Sequence, residues 1–325
     1  MTPVAEPLRL VFCGTPQFAV PALRHLLDQP DFKIAGVITQ PDRPRGRGQE
    51  VSFSPVKEAA LAAGVPVHQP EKIRQPETRT LLEQLAPDAI VIIAYGQIIP
   101  ARLLPIPRLG WINLHASLLP KYRGAAPINW AIVNGETKTG VTSMRIDAGM
   151  DTGDILLQQE MEIGAAERAP ELSARMAELG APLIVETLRG LAAGTITPRA
   201  QNHAEASVAP MLKKEFGQID WSLSAAEIHN RIRGFAPWPG AYTAFREQTC
   251  HIWGEPASKD GSARNARANG APGVLLAERG GLFVVCGGAT LLQVSAVKLE
   301  GRKQVSAGEF INGARLTLGE RFGQP

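Results

Sequence analysis

The order of segments in this chain predicts an α/β protein, with a doubly wound, Rossmann-like first domain and a smaller β-barrel domain behind it. Three observations carry that expectation. Short apolar runs alternate with amphipathic, helix-like stretches through the first two thirds of the 325 residues. One run, "DAIVIIAYG" (Asp88–Gly96), is β-branched and uncharged after its first residue, as a parallel strand covered on both faces must be. Beyond Lys213 the pattern changes to many short apolar runs parted by Gly-rich turns, with a single helical stretch, which is the rhythm of a small β domain.

Each element follows from its local pattern. "LRLVF" (Leu8–Phe12) reads as the first strand and runs into Cys13-Gly14-Thr15-Pro16, after which Phe18–Leu27 has helical periodicity. "KIAGVIT" (Lys33–Thr39) is the second strand, and "QPDRPRGRGQE" after it reads as a loop. A helix over Ser54–Ala63, a short strand "VPVHQ" and a helix near Glu77–Leu85 lead to the Asp88–Gly96 strand. "WINLH" (Trp111–His115) comes next, then a helix over Pro127–Val133, a strand pair "GVTSMRI" and "DILLQQEMEI", and a long helix over Pro170–Ala193. Alternating β and α places a site at the carboxyl ends of the strands. The expected boundaries are 1–193 for the first domain, 194–213 for a linker with two prolines and little periodicity, and 214–325 for the second domain. There "SAAEIHNRIRGF" is the helical stretch, and "YTAFR", "CHIWG", "GVLLA", "LFVVC" and "TLLQVSAVKL" are the strands. "KDGSARNARANGAPG" is too polar to pack and is expected to be a mobile loop.

Composition excludes several classes. No run of about 18 apolar residues exists to span a bilayer, and "MTPVAEPLRL" has neither a signal-peptide nor a transit-peptide pattern. Three widely spaced cysteines, Cys13, Cys250 and Cys286, make neither a disulfide framework nor a zinc pattern and fit a reducing cytoplasm. The net charge is +3, with 13 Lys and Arg against 10 Asp and Glu from Lys214 onward and 21 of each before it. The excess therefore lies in the C-terminal third, a mild pointer to an anionic partner there.

The sharpest local signal is the pair Asn113 and His115 at the end of "WINLH". Residues i and i+2 of a strand point to one face, so two uncharged hydrogen-bonding side chains converge at a strand terminus. A lone His is more often a satisfied core residue; the pair, its position and the stiff "SLLP" loop behind it favour chemistry. Asp151 stands in the Gly-flanked turn "IDAGMDTGDIL" with Asp147 and Asp154. The turn lacks the remaining ligands of a calcium loop, so no metal is expected, and an Asp brought beside His115 could orient the imidazole and move protons through water. Gly14 has only the first glycine of G-x-G-x-x-G, which argues against a nicotinamide cofactor. "RPRGRG" sets Arg43, Arg45 and Arg47 on a loop at a strand's carboxyl end, placed to meet a phosphate backbone.

"NLHASLLPKYRGAAPI" together with "DAGMDTGD" resembles the formyltransferases that use 10-formyltetrahydrofolate. Within them, "FCGTPQFAVPAL", "TQPDRPRGRG", "SPVK", "AYGQIIP", "IDWSLSA" and "PWPGAY" resemble the branch acting on methionyl initiator tRNA, over nearly the whole chain. The resemblance implies that Asn113, His115 and Asp151 are the catalytic trio. It implies that Ser117, Leu118, Leu119 and Pro120 contact the folate, that Tyr95 and Asp147 line the pterin pocket, and that Arg43, Arg45 and Arg47 enter the acceptor stem. The second domain is then an OB-like β-barrel that binds tRNA, and the chain a cytoplasmic monomer without a metal. Transfer would be direct, with no covalent enzyme intermediate: Asn113 and His115 donate to the oxygen of the formyl group, and Asp151 holds His115 and takes the amine proton through water. Ala116, where many members have Gly, and the polar insert at 259–269 depart from the family pattern. Glycinamide ribonucleotide formyltransferases lack the basic loop and the second domain, and the lipid A sugar-nucleotide formyltransferase lacks the basic loop.

Overall fold

The computed structural model describes residues 6–45, 50–258, 270–278, 281–317 and 319–323. It forms two compact units. The first holds the chain up to Pro127 with Lys138–Glu162 and Leu172–Ala209; the second holds Ile128–Thr137, Ile163–Glu171 and the chain from Pro210.

The first unit is built on a seven-stranded sheet. In chain order its strands are β1 (Leu8–Gly14), β2 (Phe32–Ile38), β5 (Val67–His68), β6 (Ala89–Ile93), β7 (Trp111–His115), β9 (Lys138–Arg145) and β10 (Ile155–Glu162). Their spatial order is β10-β9-β7-β6-β1-β2-β5. β5, β2, β1, β6 and β7 are parallel neighbours, while β9 runs antiparallel to β7 and β10 antiparallel to β9. The strand order reverses beside β1, which is where a doubly wound sheet opens a crevice. All five residues of β6 are buried, as its unbroken apolar run requires. Helices α1 (Val20–Leu27), α2 (Pro55–Ala62) and α3 (Pro76–Leu85) lie between the strands in chain order, and α5 (Ala169–Ala193) follows β10. Ser54 caps α2 by accepting from the Lys57 N–H. On α5, Gly180 lets the helix close onto β7: a Cβ there would stand 2.4 Å from the Leu114 side chain.

Two smaller pairings bear on function. Arg43–Arg45 (β3) pairs antiparallel with Glu50–Ser52 (β4), so the basic segment expected as a loop begins as a hairpin. Arg-Pro-Arg has no strand pattern, and proline is tolerated on such an edge. Arg123–Gly124 (β8) pairs in parallel with Val208–Ala209 (β11). Within the expected linker, Arg199 bridges Ile155, and β11 carries the segment onto β8. Its order comes from backbone pairing, which leaves no hydrophobic period to read.

The second unit carries the antiparallel sheet expected of the C-terminal domain. Its strands are β12 (Tyr242–Phe245), β13 (Gln248–Pro256), β14 (Leu275–Glu278), β15 (Gly281–Cys286), β16 (Thr290–Leu299) and β17 (Val305–Ser306). They run in the order β12-β13-β16-β15-β14, with β17 also on β16. α6 (Ala225–Gly234) and α7 (Ala307–Ala314) each open with a capping box, Ser224 with Glu227 and Ser306 with Glu309. Their buried faces share a core with Trp221, Phe245, Ile252 and Phe322. α4 (Pro127–Val133) gives this unit Trp130, edge-on to Phe216 and Phe235 at 5.3 and 5.7 Å. The polar insert at 259–269 lies outside the described residues. Among the described residues no helix is long and apolar enough to cross a membrane.

Candidate active site

β7 ends the parallel part of the sheet and delivers Asn113 and His115 to one face. His115 is buried, and Asn113 is half-buried. The His115 Nε2 lies 2.9 Å from the carbonyl oxygen of Tyr122. A carbonyl only accepts, so Nε2 carries the proton and Nδ1 is the nitrogen left for other partners. Nδ1 faces Asp151 Oδ2 at 3.7 Å, too long for a direct hydrogen bond and short enough to tighten into one, or to act through the field.

Asp151 reaches that position by an indirect route. The connection from β9 to β10 starts near the far end of β7, where the Ile146 N–H donates to the Trp111 carbonyl at 2.9 Å. It then runs back to set Asp151 beside His115, four residues and about 13 Å further along the strand. Asp151 itself has φ +55°, a left-handed conformation, which is costly for a residue with a Cβ and is held by its surroundings. Its Oδ2 accepts the backbone N–H of Gly124 at 2.8 Å. Within the same turn Asp147 is exposed, and its carboxylate closes the loop by accepting from the Gly149 N–H at 3.0 Å and the Thr152 hydroxyl at 2.7 Å.

The Ser117–Pro120 loop is stiff for identifiable reasons. Ser117 is fully buried, and its hydroxyl donates to the Lys121 carbonyl at 2.6 Å. Thr142, buried on β9, donates to the Ser117 carbonyl at 2.6 Å and accepts from the Leu119 N–H at 3.1 Å. Gln158 on β10 donates to the Leu119 carbonyl at 2.9 Å. Leu119 packs with Met144 and Ile155, and Leu118 and Pro120 are half-buried. The loop is thus an apolar wall hung on the edge of the sheet by polar groups on β9 and β10.

The remaining expected residues are set differently. Tyr95 is buried in the apolar cluster with Val11, Cys13 and Ile38, and its hydroxyl has no hydrogen-bond partner among the described residues. Burial pushes the Tyr95 phenol well above its usual range, so it stays neutral. Its carbonyl accepts from the Thr15 hydroxyl at 3.4 Å and from Gln40 Nε2 at 3.0 Å. There the residue borders a cleft of about 850 Å³ that Gln40, Arg43, Lys72 and Gln97 also line, but not Asn113, His115 or Asp151. Of the three arginines, Arg43 and Arg45 stand on β3, Arg43 exposed, and Arg47 lies outside the described residues.

Sequence reasoning missed a further set of residues. Arg123 is buried, and its Nε and Nη2 donate to Gln201 Oε1 at 3.1 and 2.7 Å. The Gln201 amide donates in turn to the carbonyls of Asp151 and Gly153 at 2.9 and 2.7 Å. Nothing in a stretch read as linker singled out Gln201; an Arg in the "KYRGAAP" segment was the one available signal. Among the described residues no group of three or more His, Cys, Asp or Glu could hold a metal ion.

A half-buried amide, an imidazole with one committed nitrogen, a carboxylate and a rigid apolar wall thus lie together on a Rossmann-like sheet. Residues 8–188 match the formyl transferase family and residues 211–315 match the formyl transferase C-terminal domain. The chain is 54% identical to the methionyl-tRNA formyltransferase of Solibacter usitatus, over 98% of this chain and 99% of that one. It is 53% identical to that of Acidobacterium capsulatum, over 97% and 100%. It therefore belongs to the methionyl-tRNA formyltransferase family. Among solved structures it is similar to a sugar 3N-formyl transferase determined with dTDP and 5-N-formyl-THF, with a TM-score of 0.66 and 19% identity over 92% of this chain and 100% of that one; this likeness concerns the fold.

Proposed function

We propose that this chain transfers the formyl group of 10-formyltetrahydrofolate to the α-amine of methionyl initiator tRNA, in the cytoplasm. The observation that carries the reading is the arrangement at the end of β7: His115 pinned through Nε2 to the Tyr122 carbonyl, with Nδ1 turned to Asp151, beside Asn113 on the same strand face. When the amine attacks, negative charge develops on the formyl oxygen. Asn113 donates to it through its amide. With Nε2 committed to the Tyr122 carbonyl, the His115 nitrogen left to meet that oxygen is Nδ1, on the side that Asp151 faces. The attacking amine gives up its proton through water to Asp151, the bond from the formyl carbon to N10 breaks, and that proton returns through water to N10 as tetrahydrofolate leaves.

The folate fits the residues present. Leu118 and Leu119 offer an apolar wall, and the free Tyr95 hydroxyl is a buried polar atom near the β6 terminus. The Arg43–Arg47 segment and the C-terminal domain supply the contacts to tRNA, whose phosphates are met by Arg and Lys side chains. Identity above half with enzymes named for methionyl-tRNA supports that acceptor.

The test is formyl transfer from 10-formyltetrahydrofolate to methionyl-tRNA, with glycinamide ribonucleotide and an amino-sugar nucleotide as competing acceptors. Transfer to methionyl initiator tRNA alone is expected. Asn113→Ala lowers kcat by about 10²–10³, the usual cost of one oxyanion donor, while folate binding survives. Normal turnover in that variant removes Asn113 from the mechanism, and preference for a sugar or ribonucleotide amine overturns the acceptor.

A further inference from the structure

Gln201 stands apart from every residue assigned so far, yet its amide is used completely. Arginine can only donate, so the Gln201 oxygen must face Arg123. Its nitrogen then faces two backbone carbonyls, which can only accept. Turning the amide over would break both sides at once, so its orientation is fixed by chemistry. The two carbonyls belong to Asp151 and Gly153. Asp151 is left-handed, and at Gly153 a Cβ would lie 1.9 Å from the Arg145 carbonyl oxygen. This tight turn directs two carbonyls to one place, and Gln201 supplies the donors that meet them.

Behind Gln201 stands a cation with no anion. Among the described residues Arg123 meets no carboxylate within ion-pair distance; its other partner is His203 Nδ1, 3.2 Å from both terminal nitrogens. Since Arg123 only donates, His203 must present a bare Nδ1. Burying a guanidinium without a carboxylate costs stability, so core packing alone does not account for it. The chain Arg123–Gln201 ends on the main chain of the residue whose carboxylate faces His115.

We infer that Gln201 is a positioning residue for formyl transfer: braced by Arg123, it locks the Asp151 turn so that the carboxylate stays directed at His115 and the Gly124 N–H. This rests on the site reading given above.

The experiment is a cycle in the full-length chain, with Gln201→Leu, Asp151→Asn and the double variant, read as kcat and KM for 10-formyltetrahydrofolate, with thermal midpoints alongside. Gln201→Leu is expected to lower kcat by roughly 10- to 100-fold, the scale of a displacement near 1 Å at a reacting group, with KM within about 2-fold. In the Asp151→Asn background the same change is expected to cost nothing further, because residues acting through one another are not additive. Gln201→Glu keeps the Arg123 partner and removes both donors to the turn; it should fall with Gln201→Leu, and it serves in its place if the leucine variant does not fold. An equal fold-loss in both backgrounds, or an unchanged kcat for both Gln201 variants, overturns the inference. Full activity of Asp151→Asn overturns instead the site reading beneath it.

Discussion

The Gly124 backbone N–H donates to Asp151 Oδ2 at 2.8 Å, and only glycine can make that contact from this position. Gly124 has φ +118°, and a Cβ on it would lie 2.8 Å from the carbonyl oxygen of Ala209. Gly124→Ala must therefore move β8 off β11 or turn its N–H away from the carboxylate. The variant is expected to lose about 1–3 kcal/mol of stability, the scale of forced backbone strain, and to lose turnover more than that destabilisation explains. Urea unfolding and steady-state kinetics on the same preparation separate the two. A destabilised variant with wild-type kcat would mean that the Gly124 N–H does not help to orient Asp151.

Thr142 joins the sheet to the apolar loop through one hydroxyl, which donates to Ser117 and accepts from the Leu119 N–H and from Gln158. Thr142→Val keeps the shape and leaves a buried N–H and carbonyl without partners, which costs about 1–3 kcal/mol per group. The expected functional signature is a raised KM for 10-formyltetrahydrofolate with kcat much less changed, because the loop forms a wall and does not reach the reacting atoms. A fall in kcat alone would count against that role.

At the base of the basic hairpin, Lys57 bonds to Asp42 and to Gln69, and Gln69 donates to Asp42 and to the Gln40 carbonyl. The Lys57 ammonium, aided by the Gln69 amide, holds the Asp42 carboxyl below its ordinary range despite its burial. A carboxyl lowered in the folded state adds stability that is full above its unfolded pKa, about 3.9, and is lost as pH falls through the folded value. Lys57→Met should thus be less stable than wild type near neutrality and lose less on going from pH 5 to pH 3. Denaturant midpoints across that range check it; parallel curves would show that the pair contributes no pH-dependent stability.

The three cysteines are buried. Burial pushes Cys250 and Cys286 up to about 12 and Cys13 higher still, so none presents a thiolate at neutral pH. Alkylation by iodoacetamide at pH 8 should leave the native chain unmodified, and modify all three only after unfolding. Rapid labelling of the native form would place at least one thiol at the surface.

How far the sequence could be read depended on the kind of partner each residue has. Asn113 and His115 were legible because a strand's two-residue period puts them on one face, and α6 because Ser224 and Glu227 announce its start. The same Ser-x-x-Glu spacing stands at Ser306 and Glu309, so α7 was legible and was overlooked, hidden by its short apolar face. The reversal at β9 and β10 left less trace, since alternation looks the same in either direction. The nine residues joining them do, however, leave little room for a crossover helix, which parallel strands need. Gln201 and Arg123 could not be read at all in their structural role. Their partners are main-chain carbonyls and a side-chain oxygen far along the chain, and carbonyls are present at every position of every sequence.

The pairing of β8 with β11 also sets an order in time. The backbone N–H groups of Tyr122, Arg123 and Ala125 donate to Ser207 and Ala209, and the Asp151 turn is met by Gln201. A nascent chain emerging from the ribosome as far as Ala193 already carries Asn113, His115 and Asp151 with the pairing of β7 and β9, yet it lacks the strand that meets β8 and the amide that meets the Asp151 turn. Those contacts arrive with the next sixteen residues, so translation must pass a segment that resembles a mere tether before β8 and the Asp151 turn gain their remaining partners.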